Sequence, residues 1–222
     1  MTEYVPLLLT AGLATAALAG CGDEGSAWSE LRAGPAAGGT VVTGTCGELE
    51  ADCDSRCGGS FDDVECTGTL SGDFDDVIVP PGATCALGDT RLTGNLQVGE
   101  GGSVTVGPNV FVCGDLQGAG SDALVGSGTR VCGNLQVSEG RRAELSAGFE
   151  ILKNLDAAQT ETLALSTTLI CADAQWAENG RVDVPAGAAV VVGKNCSADE
   201  NAAFDFAGLR VEGRSDGCEG AR

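Results

Sequence analysis

The sequence predicts an all-β fold: a single-stranded parallel β-helix (solenoid) of about 19–20 residues per coil, with a disulfide-rich N-terminal cap. Two observations carry that expectation. A short string recurs as Gly94-Asn95-Leu96-Gln97, Gly114-Asp115-Leu116-Gln117 and Gly133-Asn134-Leu135-Gln136. It continues, weaker, as Lys153-Asn154-Leu155-Asp156 and Ala172-Asp173-Ala174-Gln175, at intervals of 20, 19, 20 and 19 residues. Helix–turn–helix repeats need more than about thirty residues, so units this short fit one turn of a β-helix. Composition is the second observation. Aromatic residues make up only 4%, so the core must be aliphatic, and the 35 glycines follow no collagen-like period.

Elements follow in chain order. Residues Leu7 to Ala19 form an apolar run too short for a membrane span and suited to the apolar section of a signal peptide. The run ends in Leu18-Ala19-Gly20-Cys21, which resembles the lipobox of bacterial lipoproteins. That resemblance implies thioether lipidation of Cys21 and cleavage before it. The preceding "MTEYVP" departs from the pattern in having no Lys or Arg. Residues 1–20 are therefore expected as a lipoprotein signal peptide and residues 21–39 as a flexible tether. Residues 40–76 hold four cysteines and the acidic strings "FDDVEC" and "GDFDDV". They are expected as a disulfide-stapled cap or an irregular first coil that hides the open end of the core.

Residues 77–195 carry the repeats. Two residues before each Gly position stand Leu92, Val112, Val131, Ile151 and Ile170, with Val191 as the expected sixth member. Two residues after it stand Leu96, Leu116, Leu135, Leu155 and Ala174. Polar columns run beside them, Asn95, Asp115, Asn134, Asn154 and Asp173, then Gln97, Gln117, Gln136, Asp156 and Gln175. Alternation at period two is strand behaviour. Stacked amides can bond along the axis, and carboxylates should interrupt such ladders. Residues 143–165 also fit a helix, through Leu145, Phe149, Leu152 and Leu155. The coil register held over five repeats outweighs that local propensity. Residues 196–222 are expected as a C-terminal cap.

Eleven cysteines are present. With Cys21 lipidated, ten remain, an even number as five disulfides require: Cys46, Cys53, Cys57, Cys66, Cys85, Cys113, Cys132, Cys171, Cys196 and Cys218. An oxidising, exported environment favours disulfides over a zinc site, and the gaps of seven, four and nine among the first four include no close pair. Cys113, Cys132 and Cys171 share a column. Adjacent coils about 4.8 Å apart predict a Cys113–Cys132 bond. Cys171, two coils on, would then turn to Cys196, and the first four would pair among themselves.

The formal charge of −20 disfavours phosphate backbones, so no nucleic-acid partner is expected. Histidine is absent, which removes Ser-His-Asp and Cys-His catalysis and His-ligated metal centres. A polysaccharide-acting lyase or glycosidase would draw on Asp89, Arg91, Asp115, Arg130, Asp173 and Lys194, with Trp28 and Trp176 as the two tryptophans to stack on sugars. A calcium-binding adhesin would draw on Asp62, Asp63, Glu65, Asp73, Asp75 and Asp76. No regular outward Thr array of the kind that binds ice is present, Thr84, Thr90, Thr93, Thr105 and Thr129 forming none.

From "VIVPPGATC" through the "TGNLQV" strings, the chain resembles exported bacterial β-helix repeat proteins with a GN-[VL]-x-V signature, and is similar to the bactofilin fold. The first resemblance implies an exported protein, while the lipobox and cysteines depart from bactofilins, which are cytoplasmic scaffolds. The expectation is a non-enzymatic envelope or cell-surface protein without a cofactor, metal site or catalytic residue, periplasmic or surface-displayed. It is held to a bacterial membrane by lipid, with an envelope protein or glycan as partner.

Overall fold

The computed structural model describes residues 45–146 and 148–218. Cys21 and the segments expected as a signal peptide and a tether lie outside the described residues. The chain winds into a β-solenoid of about eight turns with ~19 residues per turn. Every strand pairing is parallel and joins a strand to its counterpart one coil away.

Each coil contributes three strands. The first face stacks nine, from β1 (Val64–Glu65) through β3 (Val77–Val79) to Ser215–Asp216. The second and third faces are joined by one long strand, β4 (Thr84–Leu92). Its first half pairs with Ser103–Val106 and its second half with Phe111–Val112. Between the halves the chain turns a corner at Asp89, where φ is +49°. The same corner carries Asn109, Gly128, Gly148 and Thr167, all with positive φ. Left-handed backbone is costly for most residues, and Gly, Asn and Asp bear it best, which explains several of the recurring glycines.

The columns expected from sequence are inward and buried. Val77, Leu96, Leu116, Leu135, Leu155 and Ala174 align through direct pairings and are fully buried, and Cys196 continues the column. The second column is Leu92, Val112, Val131, Ile151 and Ile170, but its sixth member is Val192, not Val191. The coil from Ile170 to Val192 spans 22 residues, because a turn closed by Ala188 N–H donating to the Pro185 carbonyl inserts extra chain. That displacement puts Val191 in the outward row beside Leu169. The helix-prone stretch from residue 143 forms strands Arg142–Ser146, Phe149–Ile151, Leu155–Ala158 and Thr162–Leu165.

The asparagine ladder runs through main chain as well as side chain. Asp76 Oδ1 accepts from both the N–H and Nδ2 of Asn95, and Asn95 Oδ1 accepts the N–H of Asp115. Asp115 accepts both bonds from Asn134, Asn134 both from Asn154, and Asp173 both from Asn195. The expectation that carboxylates interrupt it needs correcting. A carboxylate lacks only the Nδ2 donor; it accepts from the next coil as an amide does, and the main-chain N–H supplies the rung below.

In the adjacent outward row, Asp156 stands where Gln97, Gln117, Gln136 and Gln175 stand on other coils. Partial burial, and the nearby charge of Asp173, raise its pKa above the ordinary value of 3.8. A carboxyl whose folded pKa is raised favours the fold while protonated. That contribution is complete below the unfolded pKa and is lost as pH rises through the folded one. Asp156→Asn should therefore stabilise the protein at pH 7 by a few tenths of a kcal/mol, with the gain vanishing below about pH 3.8. Urea melts at both pH values check this, and an equal gain at pH 3 would refute it.

The segment expected as an N-terminal cap or an irregular first coil divides in two. Its second part, β1 and β2 (Thr69–Phe74), forms a first coil, and β2 breaks register against β4 between Leu70 and Gly72. Such irregularity blunts a terminal strand edge. The expected C-terminal cap is largely further coil, pairing Cys196–Asp199 with Ser215–Asp216 and Val190–Val192 with Leu209–Val211. A disulfide sits near each end of the stack, Cys66–Cys85 and Cys196–Cys218, with all four residues at most 3% exposed.

Candidate functional site

The first part of the expected cap is a helix, α1 (Cys46–Arg56), on the flank of the solenoid. Thr45 starts it with a capping box: Thr45 Oγ1 accepts the Glu48 N–H, and the Glu48 carboxylate accepts the Thr45 N–H. Cys46, Cys53 and Cys57 are seven and four residues apart, which places all three on one stripe of the helix. Each is bonded to the third-face corner: Cys46 to Cys171, Cys53 to Cys132 and Cys57 to Cys113.

Two periodicities match. Seven and four residues of helix rise about 10.5 and 6 Å. Two coils and one coil of solenoid rise about 9.6 and 4.8 Å. The helix therefore lies along the solenoid axis with its N-terminus at the Cys171 coil and its C-terminus at the Cys113 coil. Shifted by one coil, Cys57 would face Cys132 but Cys53 would face Leu152, so the observed register is the one in which three bonds close.

The expected pairings are overturned. Cys113 and Cys132 do not bond to each other, Cys171 does not bond to Cys196, and the first four cysteines do not pair among themselves. Side chains in one column point the same way, so their Cβ atoms stay about one coil spacing apart rather than converging. Cys196 points into the core, opposite in sense to Cys171 at the outer corner.

Beneath α1 runs the outward row of the third face: Arg91, Phe111, Arg130, Glu150, Leu169, Val191 and Arg210. An outward row is ordinarily wet, yet Phe111, Glu150 and Leu169 are buried. Arg56 of α1 lies 5.4 Å from the Phe111 ring centre. Arg130 donates through Nε to Glu150 at 2.6 Å and through Nη1 to Asp52 of α1. Asp52 also accepts from Arg56 Nε at 2.8 Å. Arg91 makes two bonds to Asp73, donates to the Arg56 carbonyl at the helix C-terminus, and lies over the Phe61 ring. Burial works to lower the Arg130 pKa, but the Glu150 and Asp52 carboxylates outweigh it and hold the guanidinium above its usual value. The charges flank an open groove of about 480 Å³, lined by Leu49, Ser55 and the Arg130–Glu150 pair among others.

Glu150 is the buried partner of that pair, with 7% of its side chain exposed, against 41% for Arg130. Arg130→Met should destabilise the protein by about 1–3 kcal/mol by leaving a buried carboxylate without its cation. Adding Glu150→Gln should recover part of that loss. Chemical denaturation of both variants checks this, and additive losses would contradict the coupling.

The other sequence candidates are dispersed. Asp115 and Asp173 belong to the asparagine ladder three coils apart, about 14 Å, beyond the reach of a carboxylate pair that cleaves glycosides. Asp89 accepts from Asn109 at a corner, and Lys194 lies in the turn that follows the third face. Arg91 and Arg130 lie under α1. Trp176 is 1% exposed, with its ring 5.1 Å from that of Phe206, so it offers no surface to a sugar. Trp28 lies outside the described residues. The acidic cluster is bonded internally: Asp63 accepts the Asp76 N–H, Asp73 pairs with Arg91, and Asp75 accepts from Thr93. Among the described residues, no group of three or more acidic or cysteine side chains is gathered as for a metal ion. Nor, among them, is any helix long and apolar enough to cross a membrane.

Sequence reasoning missed α1 itself. Its signals were the Thr45-x-x-Glu48 box and the seven-and-four cysteine spacing, which reads as one face of a helix. No known family, curated protein or solved structure matches the chain.

Proposed function

We propose that this is an exported, lipid-anchored envelope or cell-surface protein with a structural or binding role rather than a catalytic one. Five disulfides suit an oxidising, exported environment. One observation carries the reading. The ten cysteines among the described residues pair with one another, which makes Cys21 the odd one of eleven, in keeping with a residue that carries lipid. The stapled flank and the core disulfides near both ends supply a rigid body, suited to presenting a flat face to an envelope protein or a glycan.

Metabolic labelling with radioactive palmitate, followed by membrane fractionation, tests it. The full chain should take up label and sediment with membranes, and Cys21→Ser should lose both properties. A full chain that stays unlabelled, or a variant that keeps the label, would refute the anchor. Sustained release of new reducing or unsaturated ends from purified polysaccharides would refute the non-catalytic part.

A further inference from the structure

The sulfurs that fasten the C-terminal half of α1 form a connected group. Cys57 Sγ lies 3.7 Å from Cys132 Sγ, in van der Waals contact, although each is bonded elsewhere. Exposure among the disulfides is uneven. Cys57 is exposed and Cys113 half-buried, while Cys53 and Cys132 are 4% and 6% exposed. The core pairs Cys66–Cys85 and Cys196–Cys218 are sealed, and Cys171 shields one side of the bond to Cys46.

We propose that Cys57–Cys113 is a thiol–disulfide exchange site for low-molecular-weight monothiols, and that its opening is relayed to Cys53–Cys132. Exchange proceeds when a thiolate attacks an accessible disulfide sulfur and displaces the other. In the first step the external thiolate attacks Cys113 Sγ. A mixed disulfide forms on Cys113, the Cys57–Cys113 bond breaks, and the electron pair leaves on Cys57 as thiolate. In the second step Cys57 attacks Cys132 Sγ. The Cys57–Cys132 bond forms, the Cys53–Cys132 bond breaks, and Cys53 leaves as thiolate, to be protonated by water. Bonds and electrons balance: one external thiol is taken up, one protein thiol is released, and no outside oxidant is consumed. Attack at Cys57 instead would free Cys113, whose side chain runs parallel to that of Cys132, and that adduct reverses.

The consequence falls on α1. Cys53, its central staple, is released, and Cys57 is drawn one coil out of register. The helix is then held in register by Cys46–Cys171 alone, over a row in which Phe111 and Leu169 are buried. The exchange site thus couples the local thiol concentration to uncovering of the third face.

The probe is glutathione, added in graded amounts to the folded full chain after treatment with N-ethylmaleimide to block any thiol already free. Acid quenching, alkylation of new thiols and peptide mapping follow. The expected first product carries glutathione on Cys113, a Cys57–Cys132 link and an alkylated Cys53, with Cys66–Cys85 and Cys196–Cys218 intact. An open Cys57–Cys113 beside an intact Cys53–Cys132 would overturn the relay, and earlier opening of any other disulfide would overturn the entry point. In a Cys57→Ser/Cys113→Ser chain, alkylation of Cys53 should fall at least about tenfold, since the internal thiolate is gone. Undiminished alkylation there would also overturn the relay. Mapping of the unaltered chain decides the matter even if that variant does not fold.

Discussion

A chain in which Cys46, Cys53, Cys57, Cys113, Cys132 and Cys171 are all serine will keep its β-solenoid register and lose α1. An isolated helix of 11 residues is marginal in water, and this one carries little apolar surface besides Leu49. Its capping box, the Asp52–Arg130 ion pair and the bond from Arg91 to the Arg56 carbonyl do not replace covalent attachment, because an exposed ion pair contributes about 0–1 kcal/mol. The three bonds span 125, 79 and 56 residues. In the chain-entropy account a bond closing so long a loop stabilises by about 4–5 kcal/mol, and later bonds close loops already shortened by the first. The expected total loss is therefore about 5 kcal/mol or more, short of the simple sum. Hydrogen exchange read by mass spectrometry should show the amides of Cys46–Arg56 unprotected, while Leu116, Leu135 and Leu155 stay protected. Persistent protection across the serine-substituted helix would show that packing alone holds α1 and would refute the account.

Phe149→Ala is expected to cost about 3–5 kcal/mol, because Phe149 is fully buried and a cavity replaces its ring. The second half of the prediction is a coupling. A Cβ built on Gly126 would overlap the Phe149 ring, so this coil has a glycine where its neighbours in the column carry Val106 and Leu145. Gly126→Val alone should destabilise by about 1–3 kcal/mol through overpacking. In the Phe149→Ala background the same change should fill part of the cavity and stabilise. A double-mutant cycle from urea melts therefore has a definite sign, and additive effects would show that the two positions do not share space.

How far the sequence was legible follows from where each residue points. Inward positions repeat because every coil must offer an aliphatic side chain to the same interior, so Leu96, Leu116, Leu135 and Leu155 were readable one under another. The polar row beside them was readable too, because each Asn or Asp side chain meets the main chain of the coil after it. Val191 was misplaced because it stands two residues before Gly193, whereas the coil lengthened at the Pro185–Ala188 turn brings Lys194, not Gly193, to the corner position above Ala172. The carboxylates at Asp115 and Asp173 were read as breaks because main-chain donors leave no mark in a side-chain pattern.

Periodicity by itself determined the solenoid and its core columns, since repetition at a fixed interval leaves stacking as the way to bury each coil. Only the tertiary structure decided which sulfur meets which. The outward cysteine column has no partner within its own repeats, and the partner it finds is a helix 56 to 125 residues away in sequence. That meeting depends on two rises, one of α-helix and one of stacked strands, coming into step when the two elements lie side by side, a coincidence of lengths in space that no single stretch of the chain records.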